Sequence, residues 1–231
     1  MKIHRFIGDF DFRKNTINIE DPEIIKQLRN VLRMEPGETI ILFDGKGMEA
    51  EVVIESINSK SILGNIISKK EVSGVSKSVS LYLAILKKEN FELAVQKSVE
   101  CGVSRIIPVI TERTVKTGLN IERINKIIRE AAEQCGQSLL PDILPSMPFN
   151  DALIQGRESE DKILFHLVRE EYTPAKDTNS ISIFIGPEGG FTDKEIELAK
   201  KSDYTIASLG ALTLRGETAA IIATYRAVQG I

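Results

Sequence analysis

Histidine and cysteine are scarce, with two of each in 231 residues. His4 and His166 lie far apart, and neither Cys101 nor Cys135 sits in a CxxC spacing. The usual zinc ligands are therefore nearly missing, and no metal is expected. Both cysteines fall in helix-like segments and read as reduced, packed thiols, not a disulfide framework. No apolar run approaches the roughly 18 residues of a membrane span. The opening MKIHRFIGDFDF lacks the apolar stretch and cleavage site of a signal peptide. A cytoplasmic protein with no membrane partner is the expectation. Large charge of one sign is also missing: the net charge is −3. That excludes a protein that coats nucleic acid indiscriminately, but not a local basic patch. Residues 1–34 hint at such a patch, with seven Lys and Arg against five acids.

What is present is a foldable chain, 42% hydrophobic and 27% charged, long enough for one large or two modest domains. Two rhythms follow one another. Up to about residue 70 the pattern is of short strands with one helix. Thr16–Ile19, Thr39–Phe43, Ala50–Ile57 and Ile62–Ile67 read as strands, and Glu23–Leu32 as a helix with Ile24, Ile25, Leu28, Val31 and Leu32 on one face. This predicts a small barrel or curled sheet. Gly45-Lys46-Gly47-Met48-Glu49-Ala50 matches a dinucleotide fingerprint. The Val- and Ile-rich run after it predicts a strand where that fingerprint needs a helix, so a hairpin turn is the better reading.

Residues 71–80, EVSGVSKSVS, read as a linker. From residue 81 strands and helices alternate: strands at Leu81–Leu86, Ile106–Ile110, Ile163–Leu167, Ile181–Ile185 and Tyr204–Leu209, helices at Asn90–Glu100 and Ile121–Cys135. The apolar stripe of the first helix is Phe91, Leu93, Ala94 and Val95. Alternation predicts an α/β domain with a mostly parallel sheet covered on both faces. The domains expected are thus 1–70, a linker at 71–80, and 81–231.

Two strand ends carry glycine and run into helices. Gly186-Pro187-Glu188-Gly189-Gly190 precedes Thr192-Asp193-Lys194-Glu195, which fits a capping box with Phe191 and Ile196 as its hydrophobic staple. Leu209-Gly210 leads through Ala211, Leu212 and Leu214 to a last helix opening at Arg215-Gly216-Glu217-Thr218. Each loop is either a tight strand-to-helix connection or a ligand bed at the sheet's carboxyl edge. No GxxxxGK[ST] is present, and Glu188 would repel an anion, so a neutral or cationic ligand suits the bed better than a phosphate.

On these residues the chain resembles the SPOUT (trefoil-knot) methyltransferases, and within them the family that methylates N3 of a uridine in 16S ribosomal RNA. The pieces that carry the resemblance include His4-Arg5-Phe6, Val31-Leu32-Arg33, Thr111-Glu112-Arg113, Glu130 to Gly136, Ile185 to Phe191, and Leu214-Arg215-x-Glu217-Thr218-Ala219. Departures are Leu212, where Arg is usual, Thr213 for Ile, Gly216 for Thr, and Gln137 for a basic residue.

The resemblance implies a PUA-like N-terminal β-barrel that grips RNA, a trefoil-knotted α/β domain, S-adenosylmethionine as cofactor, and a homodimer. Its targets would be ribosomal RNA within the small subunit. By motif position it points to Leu167, Gly186, Glu188, Gly190, Leu209, Gly210, Leu214 and Thr218 around the cofactor. Uridine N3 becomes nucleophilic only on losing its proton, and the charge then spreads to O2 and O4, where a fixed cation stabilises it. Arg215 is the first candidate for that cation, with Arg5 or Arg113 second. Glu188 or Glu217 could take the proton or orient a water. Arg5, Arg29, Arg33 and Arg113 are candidates for RNA contacts. Methylation of another RNA atom, such as a ribose 2′-hydroxyl, and RNA binding without catalysis both stay open.

Overall fold

The computed structural model describes residues 3–72, 77–115, 117–168, 170–174 and 177–231. Contacts divide the chain into two units: Met1–Gly74 with Ala132–Leu140, and Val75–Ala131 with Pro141–Ile231.

The first unit holds strands β1 (His4–Ile7), β2 (Thr16–Ile19), β3 (Thr39–Phe43), β4 (Met48–Ile57) and β5 (Ile62–Glu71), and the short helix α1 (Pro22–Lys26). The strand order is β1-β3-β4-β5-β2. β1 runs parallel to β3, and the other pairs are antiparallel. Register shifts between Glu51 and Val52 and between Ile54 and Ser56 interrupt the β4–β5 ladder, and such irregularities increase twist. All five strands feed one core: Phe6, Ile17 and Ile19, Ile40 and Leu42, Val52 and Ile54, and Ile62 are buried together with Ile24, Ile25 and Leu28 of the helical segment.

The Gly45–Ala50 segment is a hairpin. Asp44 Oδ1 accepts from the backbone N–H groups of Lys46 (2.7 Å) and Met48 (3.0 Å), and β4 follows with no helix between. The helix over Glu23–Leu32 differs from expectation. α1 gives way to a π-type turn at Gln27–Val31, in which the Leu32 N–H donates to the Gln27 carbonyl at 2.9 Å. The wider turn takes Val31 off the apolar face and leaves it 68% exposed. Residues Ala132–Leu140 join this unit through Glu133 Oε1, which accepts from the Ile7 N–H at 2.8 Å, and Ser138 Oγ, which donates to Glu49 Oε2 at 3.0 Å.

Of the segment read as a linker, Glu71 closes β5 and Ser78 opens the next strand; residues 73–76 lie outside the described residues. The second unit then runs β6 (Ser78–Ala84), α2 (Lys88–Glu100), β7 (Arg105–Ile110), α3 (Ile121–Cys135, whose residues from Ala132 on belong to the first unit), β8 (Asp142–Ile143), β9 (Met147–Pro148), α4 (Phe149–Gly156), β10 (Asp161–Phe165), β11 (Ser180–Ile185), α5 (Asp193–Lys201), β12 (Thr205–Ala207) and α6 (Gly216–Gln229). Its sheet has the order β12-β10-β11-β6-β7-β8, with β9 also on β7. Every pairing is parallel. Central strands such as Ile181–Ile185 are buried throughout, as expected of strands covered on both faces. Two side-chain expectations fail: Leu93 on α2 is 41% exposed, and Cys135 is exposed where a packed thiol was expected.

Candidate functional site

Four neighbouring strands of the second unit, β12, β10, β11 and β6, point the same way, so their carboxyl ends share one edge. That is where a doubly covered parallel sheet offers its crevice. The edge encloses a cavity of about 620 Å³, formed by the chain after β10 (His166, Leu167), after β11 (Gly186 to Phe191) and after β12 (Ser208 to Arg215), with Lys87 and Asn90 at the start of α2.

Each loop is tied down by bonds of its own. After β10 and β12 the chain continues a short pairing: the Tyr172 N–H donates to the Ser208 carbonyl (2.9 Å) and the Ser208 N–H to the Glu170 carbonyl (2.8 Å). After β11 the Gly190 N–H donates to the Pro187 carbonyl at 2.8 Å, closing a turn. Glu188 Oε1 accepts from the Lys87 N–H at 3.0 Å, at the positive end of α2. Arg113 Nη1 donates to the Gly189 carbonyl at 2.6 Å.

The capping box at Thr192 is formed as the spacing predicts. Glu195 Oε2 accepts from the Thr192 N–H at 2.8 Å, and Thr192 Oγ1 accepts from the Glu195 N–H at 3.3 Å. Phe191 and Ile196, the staple pair, are buried in one cluster. The box has a longer reach than its sequence implies, because Glu195 Oε1 also accepts from the Glu112 N–H at 2.9 Å.

Two glycines matter for different reasons. A Cβ on Gly186 would stand 3.1 Å from the Phe191 ring and 3.3 Å from the Phe191 nitrogen, so this glycine permits close packing inside the loop itself. Gly210 has φ +122°, a conformation that side chains other than glycine's rarely adopt, and a Cβ there would meet nothing within 4 Å. Its half-buried backbone lines the cavity.

Of the cofactor candidates, Leu167, Gly186, Glu188, Gly190, Leu209, Gly210 and Leu214 all line the cavity, and Thr218 does not. Thr218 lies on α6 between Glu217 and Ala219, both of which line the cavity. Arg215 and Glu217 line it as well. Arg215 is exposed and precedes the first turn of α6. Glu217 is 7% exposed, and its Oε2 has no hydrogen-bond partner among the described residues. Arg113 reaches the cavity loop through Gly189. Arg5, Arg29 and Arg33 belong to the first unit, on β1, in the π-type turn and just beyond it. Sequence reasoning missed Lys87, Asn90, Phe165, His166 and Ser208. The available signal was positional: Phe165, His166, Ser208 and Lys87 sit at or a few residues past the carboxyl end of a parallel strand, and Asn90 in the first turn of the helix that follows one. Leu212, where the resemblance has a cation, is 79% exposed at the cavity rim.

Comparison with known proteins follows the same division. Residues 75–228 match the model of the RNA methyltransferase domain, and residues 20–67 that of the RNA methyltransferase PUA domain. A ribosomal RNA small subunit methyltransferase E from Rickettsia conorii is 28% identical over 96% of this chain and 94% of its own. The crystal structure of a ribosomal RNA small subunit methyltransferase E from Neisseria gonorrhoeae bound to S-adenosylmethionine is 28% identical, with a TM-score of 0.88 over 96% of this chain and 95% of that one. A methyltransferase from Legionella pneumophila in complex with the same cofactor is 30% identical, with a TM-score of 0.85 over 97% and 96%. A cavity at the carboxyl edge of a parallel sheet, in a chain matched by that domain model over residues 75–228, identifies this protein as a member of the SPOUT RNA methyltransferase family.

Proposed function

We propose that the protein methylates N3 of a uridine in 16S ribosomal RNA of the small ribosomal subunit, with S-adenosylmethionine as methyl donor. The carrying observation is the cavity with its orphaned carboxylate oxygen on Glu217. At about 620 Å³ its volume falls within the roughly 300–1,000 Å³ of small-molecule sites. Its lining fits the donor's chemistry. Phe165, Leu167, Leu209 and Leu214 supply apolar surface for a flat base, while Glu188 and Glu217 supply negative charge that suits a cationic ligand. Relatives bound to S-adenosylmethionine share the fold over nearly the whole chain.

When bound, S-adenosylmethionine supplies a methyl group on a sulfonium, which a nucleophile in line with the sulfur can take. The chain's own part is alignment and charge. The loops after β10, β11 and β12 hold the ligand by backbone and apolar surface. Glu217 accepts a hydrogen bond from a ligand N–H or O–H at its unpartnered oxygen. Arg215, exposed at the rim, meets the negative charge that spreads to O2 and O4 of the deprotonated uracil. Glu188 is already engaged with Lys87 through one oxygen, which leaves the other for a proton or a water. The first unit, with Arg5, Arg29 and Arg33, grips the RNA phosphates, and the active species is a homodimer.

The test is incubation with labelled S-adenosylmethionine and small ribosomal subunits, followed by nucleoside mass spectrometry and mapping. Label at a single uridine N3 supports the assignment. Label on a ribose hydroxyl, or heat of cofactor binding with no transfer to any RNA, refutes it.

A further inference from the structure

Phe165 ends β10 and lines the cavity, and what fixes its ring lies behind the cavity wall. Tyr172, 2% exposed, packs edge-on against that ring, with centroids 5.3 Å apart and planes at 86°. Edge-to-face contact suits the charge distribution of two aromatic rings. Tyr172 also ties main chain to main chain. Its N–H donates to the carbonyl of Ser208, a cavity residue after β12, at 2.9 Å. Its own carbonyl accepts from Arg226 Nη2 on α6 at 2.8 Å. The Arg226 guanidinium stands 5.7 Å from the centroid of the Tyr172 ring, within reach of a cation–π attraction. One residue thus joins the loop after β10, the loop after β12 and the last helix.

Arg226 is itself held in place. Gly230 ends α6 with φ +70°, the left-handed conformation that glycine adopts without strain. Beyond it, the main-chain oxygen of Ile231 accepts from Arg226 Nε at 3.0 Å. A guanidinium is a rigid plane, so fixing Nε also aims Nη2. The helix therefore acts on the cavity twice. Its first turn lines the wall directly with Gly216, Glu217 and Ala219. Nine residues past Glu217, about 14 Å along the axis, Arg226 braces the wall after β10 through Tyr172. Neither Arg226 nor Tyr172 lines the cavity, so both act through other residues.

The geometry points to Arg226 and Tyr172 as positioning residues for the cofactor site: a clasp from the end of α6 that sets the Phe165 ring and the Ser208 backbone against a bound S-adenosylmethionine. The inference rests on that ligand occupying the cavity.

The experiment compares full-length R226A and R226K with a control, R157A. The control removes an equal charge and a comparable bond, from Arg157 Nη2 to Ser202 Oγ at 2.8 Å, at a residue that does not line the cavity. Each protein is measured by calorimetry with S-adenosylmethionine, by KM for the donor and kcat on small ribosomal subunits, and by amide hydrogen exchange without ligand. A wall that is correctly placed only part of the time lowers affinity by that fraction, and one bond to a charged donor shifts such an equilibrium about tenfold or more. R226A is therefore expected to weaken S-adenosylmethionine about tenfold and to raise its KM alike, with kcat falling less than twofold. Exchange at the Tyr172 and Ser208 amides should quicken, while β6 and β7 stay as protected as in wild type. R226K, which keeps the charge and a donor, should recover part of the affinity. Unchanged affinity in R226A, an equal loss in R157A, or exchange quickened through the whole sheet overturns the clasp. Wild-type protein that fails to bind S-adenosylmethionine counts against the cofactor reading, and the two amides then decide the clasp alone: faster exchange in R226A supports it, and unchanged exchange overturns it.

Discussion

Replacing Glu217 by glutamine separates ligand binding from stability, because the two are expected to move in opposite directions. Glu217 is 7% exposed, sits in the first turn of α6, and has one carboxylate oxygen with no partner among the described residues. An unsatisfied buried polar group costs about 1–3 kcal/mol, and a charged one lies at the upper end. The amide of E217Q is neutral and nearly isosteric, so much of that cost disappears. Against this stands the lost attraction between a carboxylate and the helix N-terminus, about 0.3–1 kcal/mol. The balance is a gain of about 1 kcal/mol, a rise in Tm of roughly 2–4 °C at this chain length. Binding changes with the other sign. A hydrogen bond from the ligand to a charged acceptor contributes about 1.5–3 kcal/mol, so its loss weakens S-adenosylmethionine roughly 10- to 150-fold. Thermal unfolding and calorimetry on one preparation read both numbers. A lower Tm with unchanged affinity would show that Glu217 serves the fold and not the ligand, and would refute the reasoning.

Other substitutions probe the neighbouring groups. R215A removes an exposed cation at the rim, and is expected to lower kcat at least tenfold while calorimetric affinity for S-adenosylmethionine stays within twofold; equal losses in both would place Arg215 in cofactor binding instead. T192A deletes the cap of α5 and is expected to cost about 1 kcal/mol in denaturant unfolding, with a loss below about 0.3 kcal/mol refuting a capping role. Asp11 is held down to about 2 from its ordinary 3.8, chiefly by the hydrogen bond from the Arg13 guanidinium. Since the folded value is the lower one, any stabilisation is present above about 3.8 and is lost as pH falls through about 2. An NMR titration should find that midpoint, and R13A should return it toward 3.8; a midpoint indifferent to R13A would sink the assignment.

Much of the fold was legible where local chemistry decides it. Asp44-Gly45-Lys46-Gly47 makes a hairpin because Asp44 can bond its own backbone two and four residues on, whatever lies around it. α4 escaped notice for the opposite reason. Its start at Phe149 follows Pro148, whose side chain offers no cap, and its eight residues make a marginal helix. Packing decides it: Phe149, Ala152 and Leu153 are buried in the cluster with Phe184 and Tyr204. The π-type turn at Gln27–Val31 was equally invisible, since apolar spacing at Ile24, Ile25, Leu28 and Leu32 fits a regular helix as well as one widened turn. The grouping of Ala132–Leu140 with the first unit rests on Glu133 and Ser138 bonds to residues about 90 to 126 positions away.

The candidate site divides along the same line, and Glu195 shows why. Its local half, the reciprocal bonding with Thr192, follows from four consecutive residues. Its other oxygen accepts from Glu112, 83 residues earlier, and no local pattern contains that partner. One buried carboxylate therefore joins the loop after β7 to the loop after β11, with Arg113 adding a second tie through the Gly189 carbonyl. A helix cap that were only a helix cap could be exchanged for aspartate or glutamine at small cost. Here the exchange also weakens the bond from the Glu112 N–H, next to Arg113, whose guanidinium holds the Gly189 carbonyl at the cavity wall. E195Q keeps its size but weakens three bonds to a charged acceptor, so it should lower cofactor affinity without touching the ligand. T192A spares the bond from the Glu112 N–H to Glu195, though it loses the 3.4 Å bond from Thr192 Oγ1 to Glu112 Oε2, and should lower it less. Calorimetry on the pair decides the point: equal affinities in the two variants would mean that the loop after β11 holds its shape without Glu195.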